Sequence, residues 1–425
     1  MSQEPEPPAP GRLRRLLRLA VVDVSPLRES VDYRWLYGGH LVNELGRQLT
    51  VVAVPYQVFL LTRSSLAVGL IGLAQLGPLV ICSIFGGAVV DAVDRRRLLI
   101  VVQLLMGLTS AGLAINAAAR QPAVWPLFVL SAANAGLSGL DSPARTAVLP
   151  TLVSRSNLAG AFALNQTLQQ TAATVGPAVA GLIIARVSLP AAYWLDAASF
   201  TISTLALVPI RPLRPQGETQ RAGFSSVVTG LRFLRSRRLL QGTFVIDLNA
   251  MIFGMPRALF PALGTQVFGG GAAVVGLLYA APGAGALLGA LTTGWVSTVR
   301  RQGRAVLIAV AVWGAAITAF GLVDALPVAL ALLAVGGAAD VVSAVFRTTI
   351  LQMTTPDSLR GRMSAVHIAV VAGGPRLGDA EAGAVAAISD ARTSVIVGGV
   401  ACLLGTLAIA RGYPELARYT DEPAA

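Results

Sequence analysis

The stretch GGAVVDAVDRRR, residues 86–97, decides how the rest of this chain is interpreted. Some twenty residues from Leu66 onward carry no charge, and the run then ends in two aspartates and three arginines. An uncharged run of that length can cross a bilayer, which takes roughly 20 mostly apolar residues. Arginines next to such a run mark its cytoplasmic side. The stretch therefore predicts the cytoplasmic end of a membrane-spanning helix.

The composition of the whole chain also indicates a membrane protein. Of its 425 residues 54% are hydrophobic and 13% are charged, and the mean hydropathy is +0.68. A soluble chain would carry about a quarter charged residues. The net charge of +12 does not indicate nucleic-acid binding, because the arginines lie between apolar runs. Cys82 and Cys402 lie far apart inside such runs, so we expect neither a disulfide nor a metal site.

Apolar runs predict twelve membrane-spanning helices. The predicted spans are residues 35–61, 67–90, 97–118, 124–149, 158–186, 188–209, 239–268, 272–298, 305–323, 326–353, 363–389 and 393–411. With a cytoplasmic N-terminus, 26 of the 33 arginines fall on the inside, and only Arg63, Arg120, Arg186 and Arg392 fall in outside turns. This asymmetry predicts that both termini are cytoplasmic. The use of Arg without any Lys, together with much Ala and Gly, suggests a bacterial chain, so the expected location is the bacterial plasma membrane.

The two halves of the chain repeat each other. Val68-Gly-Leu-Ile is followed by a similar Val275-Gly-Leu-Leu, and Gly176-Pro177 by Gly374-Pro375. Such a repeat predicts a two-lobed transporter. The expected organisation is a disordered and basic N-terminus (1–33), a first six-helix lobe (34–209), a basic cytoplasmic linker (210–238), a second six-helix lobe (239–411) and a cytoplasmic tail (412–425).

The opening stretch resembles the signature loop between spans 2 and 3 of the major facilitator superfamily. Gly87 is followed four residues later by Asp91 and then by a basic cluster. Its acidic form, with Asp94, is similar to the enterobactin-exporter branch, as are residues 141–165 and 351–363. The resemblance implies an all-α membrane protein with twelve transmembrane helices in two pseudo-symmetric six-helix bundles around a central cavity.

The resemblance also implies a cytoplasmic gate. Gly87 is expected to allow a close helix contact, and Asp91 to bind a neighbouring helix end or an arginine of span 4 or 11. The residues assigned to this gate are Gly87, Asp91, Asp94, Arg95, Arg96, Arg97, Asp141, Arg145 and Arg347. In span 5, Gly176, Pro177 and Gly181 resemble the antiporter motif of exporters. A kinked packing helix without directional meaning remains an equal alternative.

Charged residues inside the spans are the candidates for transport chemistry, because each of them needs a partner or a watery cavity. In the superfamily, spans 1, 4, 7 and 10 line the cavity, and each carries an acid and an arginine here. The candidates for proton coupling are Glu44, Asp340, Glu381 and Asp379. The candidates for the cavity and substrate are Arg47, Asn43, Asp247, Arg257 and Arg376. His40 is a weaker candidate for a proton relay. Asp196 and Asp324 are predicted to be boundary residues near the outer surface.

The predicted function is secondary export of a small, siderophore-like organic molecule by proton antiport, with the two lobes rocking around the cavity. Two alternatives stay open: a multidrug or macrolide-type efflux transporter, and a membrane scaffold or sensor that moves nothing. The chain has no lysine for a nucleotide-binding loop and no catalytic constellation, so we expect neither an enzyme nor a cofactor or metal. The expected partners are the substrate, protons and lipid, without nucleic acid, and the expected state is a monomer.

Overall fold

A computed structural model describes residues 23–213 and 224–420, and all regular secondary structure in these ranges is helical. A short helix, Ser25–Glu29, precedes six long ones. These are α1 (Val31–Thr62), α2 (Ser65–Ala92), α3 (Arg95–Ala118), α4 (Trp125–Leu152), α5 (Leu158–Arg186) and α6 (Leu189–Leu207). The predicted disorder of the first 22 residues, part of the predicted linker and the last five residues lie outside the described ranges.

The second half begins with a short helix, Phe224–Arg235, and ends with another, Pro414–Arg418. Between them lie α7 (starting at Arg238), α8 (Gly271–Leu291), α9 (Gln302–Leu322), α10 (Leu326–Thr354), α11 (Asp357–Ile388) and α12 (Ala391–Gly412). A 3-10 helix, Thr293–Thr298, follows α8 where the prediction continued the span to residue 298.

Long helices thus stand at all twelve predicted positions. Within the described residues, eight of them are long and apolar enough to cross a membrane: α2, α3, α5, α7, α8, α9, α10 and α12. The other four, α1, α4, α6 and α11, carry charged residues that belong to the site described below. Membrane crossing by these four stays a prediction.

Short capped turns join consecutive helices. Ser64 caps α2 by accepting a hydrogen bond from the backbone N–H of Ala67 (3.2 Å), and Arg63 adopts a left-handed conformation with φ 53°. Ser188 caps α6 in the same way through Ala191 N–H (3.2 Å). A capping hydroxyl satisfies one of the free N–H groups of a helix start. Turns this short make the joined helices antiparallel neighbours.

Each half of the chain packs mainly within itself. In the first half, α2 packs on α4, and α6 packs on both α1 and α3. In the second half, α10 packs on α8 and α9, and α12 packs on α9. Extensive contacts between the halves join α2 to α11 and α5 to α8.

Four glycines, Gly69, Gly181, Gly276 and Gly383, form the seam where the halves meet. A Cβ atom on Gly181 would lie 2.8 Å from the Cα of Gly276, and one on Gly69 would lie 2.2 Å from the carbonyl oxygen of Asp379. Glycine is the residue that permits such a backbone approach. The end of the bundle that carries Arg95–Arg97 is called the arginine-rich end. The seam lies at the opposite end.

The contact predicted at Gly87 is wrong. A Cβ on Gly87 would meet no atom within 4 Å, whereas one on the preceding Gly86 would lie 3.0 Å from the carbonyl oxygen of Gly139 in α4. Successive residues of a helix point about 100° apart, so Gly86 faces α4 and Gly87 does not. The close contact of α2 at the arginine-rich end is therefore made within the first half.

Helix α7 is broken, although the sequence predicted one continuous span. The α-helical part ends at Phe253, and Pro256 leads into a 3-10 turn, Arg257–Leu259, and then a π-helical turn, Leu263–Val267. Proline has no N–H to donate and disfavours helical conformation in the residue before it. Trp313 Nε1–H donates to the freed carbonyl of Gly254 (2.8 Å). The break places Arg257 at the centre of the molecule.

Candidate functional site

A central cavity of about 250 Å³ lies between the two halves. Residues from α1, α2, α3, α4 and α6 line it on one side, and residues from α7, α8 and α11 on the other. Its charged lining consists of Arg47, Arg257, Arg376, Asp379 and Asp196. Three predicted cavity arginines, which come from three different helices, therefore share one void.

A second cavity, of about 230 Å³, adjoins the first and is lined mainly by the second half, with Gln170 and Ala173 of α5 contributed by the first half. Arg257 and Tyr279 line both cavities. The second cavity is lined by the aromatic rings of Phe260 and Trp313, and Asp340 is the one acidic residue among the described residues that line it. We call the first void the arginine cavity and the second the aromatic cavity.

Two of the three arginines face the arginine cavity without an ion pair. Across the described residues, no carboxylate lies within 4.0 Å of the guanidinium of Arg257 or Arg376. Arg376 Nη1 donates to the carbonyl of Ala372 (2.6 Å), and its Nε has no partner. Burying a guanidinium without a counterion is costly, so this wall favours an anionic ligand.

Arg47, the third arginine, is held by Glu44 one turn earlier on α1. Arg47 Nε donates to Glu44 Oε2 at 3.2 Å, and its Nη2 donates to Oε1. Glu44 is buried and lines neither cavity, whereas the Arg47 side chain keeps 42% of its surface exposed. Glu44 therefore positions the arginine, and Arg47 faces the cavity.

Asp379 lies where three helices meet. Its Oδ1 accepts a hydrogen bond from the backbone N–H of Ala258 in the α7 break (3.0 Å). Its carbonyl oxygen is the atom that a Cβ on Gly69 would meet. Arg376 precedes Asp379 by three residues, yet the two do not form an ion pair within 4.0 Å. Asp379 thus joins the wall of the arginine cavity to the seam.

Asp196 is not the boundary residue that the sequence predicted. It is 1% exposed, and its Oδ2 accepts hydrogen bonds from Thr50 (2.6 Å) and Ser110 (2.7 Å), while Oδ1 has no partner. It lines the arginine cavity from α6, a helix that the prediction did not assign to the cavity. Its place eight residues into a span of apolar residues was the available signal. Asp324, in contrast, is exposed and pairs with Arg392.

Asp247 is not a cavity residue either. It is 2% exposed, lines neither cavity and forms an ion pair with Arg347 of α10 at 2.9 Å. Arg347 Nη1 also donates to Ser343 Oγ (2.7 Å), and its Nη2 lies 3.7 Å from Asp340. The prediction grouped Asp247 with Arg257 on the same span, but the break in α7 separates them. Asp340 alone of this cluster reaches the aromatic cavity.

The first half holds a corresponding buried pair. Arg145 Nε donates to Asp141 Oδ2 (2.6 Å), and Asp141 Oδ1 accepts from Gln103 of α3 (3.1 Å). Both terminal nitrogens of Arg145 are buried without a partner. Residues four apart on a helix share one face, which brings these two side chains together.

The arginine-rich loop binds the ends of two helices. Arg95 Nη1 donates to the carbonyl of Ala147 (2.9 Å), and Arg96 donates to the carbonyls of Leu207 (3.0 Å) and Val208. Asp94 caps α3 by accepting from Arg97 N–H (3.2 Å). Cationic side chains at helix C-termini are favourable because the last carbonyls are free.

Asp91 has a nearer partner than the predicted ones. It faces Arg95, four residues later, at 3.8 Å, while the arginine of α4, Arg145, is occupied by Asp141. The nearby α11 offers no ion pair to Asp91 within 4.0 Å in the described part of the chain. Asp91 therefore belongs to the loop of its own half in this conformation.

The predicted antiporter-like motif on α5 packs on two helices at once. A Cβ on Gly176 would lie 2.5 Å from the Cβ of Gln48 on α1, and the carbonyl of Pro177 is 2.5 Å from the position of a Cβ on Gly276. Gly181 meets Ala272 and Gly276 of α8. The motif thus packs α5 against α1 of its own half and against α8 of the other half.

Three further predicted residues stay outside both cavities. Asn43 is 3% exposed with its Oδ1 unpartnered, and buried His40 has an unpartnered Nδ1. Glu381, two residues beyond Asp379, is partly buried and lines neither cavity. Their positions do not bring them to a ligand in the two voids described.

The sequence and the fold match known transporters. The family described as transmembrane secretion effector matches residues 21–419. The enterobactin exporter EntS of Shigella boydii serotype 18 is 27% identical over 403 residues, which cover 95% of this chain and 97% of that protein. The exporter of the same name from Escherichia coli O1:K1 shows the same identity and coverage.

Solved structures show the same fold at low sequence identity. A bacterial homologue of the human lysosomal transporter Spinster, in an inward-facing and unoccupied conformation, gives a TM-score of 0.70 at 13% identity, covering 92% of this chain and 98% of that one. The nucleoside transporter NupG gives 0.65 at 12% identity, covering 92% and 100%. With its helical fold and its match across residues 21–419, the chain belongs to the transmembrane secretion effector family of the major facilitator superfamily, a family of transporters.

Proposed function

We propose that this protein exports a small, siderophore-like organic anion through the arginine cavity. The observation that carries the proposal is the convergence of Arg47, Arg257 and Arg376, two of them without an ion pair, on one void between the halves. The name of the 27%-identical relatives, enterobactin exporter, supports a siderophore as the cargo. Guanidinium groups bind carboxylates and other oxyanions through paired hydrogen bonds.

The proposed architecture has all twelve helices crossing the bacterial plasma membrane, with both termini in the cytoplasm. The lobes are residues 34–209 and 239–411, and the monomer is the transporting unit. In this arrangement the seam closes the outer end, and the arginine-rich end opens toward the cytoplasm. Rocking of the lobes would open the seam and bring Asp91 and the loop Arg95–Arg97 toward the second lobe.

Proton antiport is the proposed energy source. Of the four candidates, Asp379 and Asp340 line the cavities, whereas Glu44 and Glu381 do not, so the first two are the stronger carriers. An inside-negative membrane potential already favours outward movement of an anion by about 2.3 kcal/mol per charge per 100 mV. A potential-driven anion pathway must therefore be separated from antiport by experiment.

The experiment uses inverted vesicles that contain the full-length protein and a radiolabelled catecholate siderophore. A pH gradient and a membrane potential are imposed separately with ionophores. Antiport predicts that each gradient alone drives accumulation, and that Asp379→Asn or Asp340→Asn abolishes the response to the pH gradient. Accumulation that follows the potential and ignores the pH gradient would refute antiport while leaving anion export intact.

A multidrug or macrolide-type exporter is the second candidate. The aromatic cavity favours it, because Phe260, Tyr279 and Trp313 offer apolar surface to uncharged ligands. Transport of a neutral macrolide and not of the siderophore in the same vesicles would select this candidate. A vesicle preparation that transports neither compound under either gradient would favour the scaffold or sensor alternative.

A further inference from the structure

The arginine and aromatic cavities share two residues in a fixed arrangement. Tyr279 Oη donates to the backbone carbonyl of Arg257 (3.0 Å), and the ring of Tyr279 meets the ring of Phe260 edge to face, with centroids 5.0 Å apart. The Arg257 backbone and the Tyr279 ring are therefore held together. The guanidinium of Arg257 lies between the two voids and forms no ion pair with any residue in 23–213 or 224–420.

The two voids differ in their chemistry. The arginine cavity carries three guanidiniums and two carboxylates, those of Asp196 and Asp379, whereas the aromatic cavity carries three aromatic rings, the shared Arg257 and Asp340. The Nε1–H of Trp313 is already bonded to Gly254, so the part of Trp313 that lines the cavity is apolar. Asp340 lies in the aromatic cavity and would repel a second anion there. A ligand with one anionic end therefore has one favourable orientation.

The two voids together have the volume of a pocket for a drug-sized ligand, although neither has it alone. Pockets for drug-sized ligands run from about 300 to 1,000 Å³. Each void alone, about 250 and 230 Å³, falls below this range, while the two together fall within it. Because they share Arg257 and Tyr279, one molecule can extend from one into the other.

We propose that the arginine and aromatic cavities form one two-part site for an aromatic organic anion. The anionic group binds Arg257 and Arg376, and the aromatic ring packs among Phe260, Tyr279 and Trp313. This inference rests on the proposed function, since it names the ligand class of the same central cavity. It adds an orientation, with the anion toward α1 and α11 and the ring toward α8, α9 and α10.

The test uses Trp313 as a local reporter in the full-length protein in lipid nanodiscs. Trp313 is 4% exposed, whereas the other tryptophans, Trp35, Trp125, Trp194 and Trp295, are 48–69% exposed. Replacing these four by Phe leaves Trp313 as the only tryptophan. Three probes are titrated: 3-phenylpropanoate, its amide without the charge, and propanoate without the ring.

The expected result is a saturable change in Trp313 fluorescence with 3-phenylpropanoate. Loss of the charge or of the ring should weaken the apparent affinity by about tenfold or more, the effect of losing one good interaction. Arg257→Gln and Arg376→Gln should weaken binding of the acid and leave binding of the amide unchanged. Phe260→Leu should weaken both ring-bearing probes, and Arg392→Gln, at an exposed ion pair, should change neither.

Equal affinity for the acid and its amide, or for propanoate and 3-phenylpropanoate, would overturn the two-part site. So would the absence of a saturable Trp313 response, or arginine variants that bind the acid as tightly as the unmodified protein. Vesicle transport of the siderophore is measured in parallel with each variant. If the siderophore is transported but the probes do not bind as expected, only the two-part site is refuted. If the unmodified protein does not transport the siderophore, the proposed export is refuted.

Discussion

The ion pair between Asp247 and Arg347 is the most buried ion pair among the described residues. Both side chains are at least 94% buried, and they lie 2.9 Å apart. Removing Asp247 leaves the Arg347 guanidinium with only the more distant Asp340, at 3.7 Å, and breaking a buried pair costs up to about 3–5 kcal/mol. We therefore expect Asp247→Asn to lower the thermal unfolding temperature strongly.

An exposed ion pair provides the matched control for this prediction. Asp324, 83% exposed, pairs with Arg392, and exposed pairs contribute about 0–1 kcal/mol. Asp324→Asn should leave the unfolding temperature in nanodiscs nearly unchanged. Equal losses for the two variants would show that burial of the Asp247 pair carries no special weight.

Asp196 gives a second prediction at the residue scale. Its carboxylate accepts hydrogen bonds from the hydroxyls of Thr50 and Ser110. These hydrogen bonds connect α1 and α3 to α6. Asp196→Asn keeps an acceptor oxygen, whereas Asp196→Leu leaves two hydroxyls unsatisfied, each costing about 1–3 kcal/mol. Thermal unfolding should rank the leucine variant clearly below the asparagine variant. A leucine variant as stable as the unmodified protein would contradict this role.

At the scale of helices, the seam predicts a specific sensitivity to added volume. Gly181→Ala places a methyl group 2.8 Å from Gly276 Cα and should push α5 away from α8. Gly77→Ala on α2 is the control, because its Cβ would meet no atom within 4 Å. The measurement is labelling of Val54→Cys, in the arginine cavity, by an impermeant maleimide added outside, in a background without Cys82 and Cys402. Only the Gly181 variant should gain labelling.

The helix Ser25–Glu29 gives a prediction for pH dependence. Glu29 accepts hydrogen bonds from Asn157 Nδ2 (2.6 Å) and from Ser154 N–H (3.0 Å), and these bonds lower the pKa of its carboxyl below the usual value of 4.5. A lowered pKa means that the contact is complete above pH 4.5 and is lost as the pH falls through the lowered pKa. Hydrogen exchange at the Ser154 amide, corrected for its intrinsic rate, should therefore accelerate as the pH falls through the lowered pKa of Glu29.

Glu29→Gln is the matching variant, because it removes the charge at every pH. It should show accelerated exchange at Ser154 already at neutral pH, and its corrected exchange should no longer depend on acidification. Asp390→Asn, at the far turn before α12, should behave like the unmodified protein at Ser154. Unchanged protection in the Glu29 variant would contradict the attachment.

For the whole molecule, a crosslink across the seam tests whether the halves must separate there. A Cβ on Gly383 would lie 3.0 Å from the Cα of Leu66, so Leu66→Cys and Gly383→Cys place two thiols at the same point of the seam, and the reduced double variant is the reference because Gly383→Cys itself adds a Cβ there. Oxidation should stop vesicle transport, and a reductant should restore it. Full transport by the oxidised, crosslinked protein would show that the seam does not open during the cycle.

The helices and the family could be predicted because both depend on local sequence. Apolar runs and arginine positions placed twelve helices near their observed bounds, and the loop around Asp91 and Arg97 led to the superfamily. The predicted membership is confirmed. These features need no knowledge of how helices turn about their axes.

The site residues could be predicted only where the side chain faces the cavity from a helix that was assigned to line it. As predicted, the three arginines Arg47, Arg257 and Arg376 share a cavity. Asp247, in contrast, pairs with Arg347 outside the cavity, and Asp196 lines the cavity from a helix that was not assigned to it. The break in α7 at Pro256 determines the position of Arg257. The orientation of α2 about its axis makes Gly86, and not Gly87, the glycine that contacts α4. Axial rotation and helix breaks depend on partners distant in sequence, which a pattern of residues does not specify.

The hydrogen bonds of Arg96 to the carbonyls of Leu207 and Val208 have a consequence for biosynthesis. The acceptors are synthesised more than a hundred residues after the arginine, so these hydrogen bonds can form only after the end of the sixth helix has been made. The first six helices would then form a completed unit before the second half is fully translated. Separate translation of residues 1–213 and 214–425 in one cell should accordingly yield two fragments that reassemble.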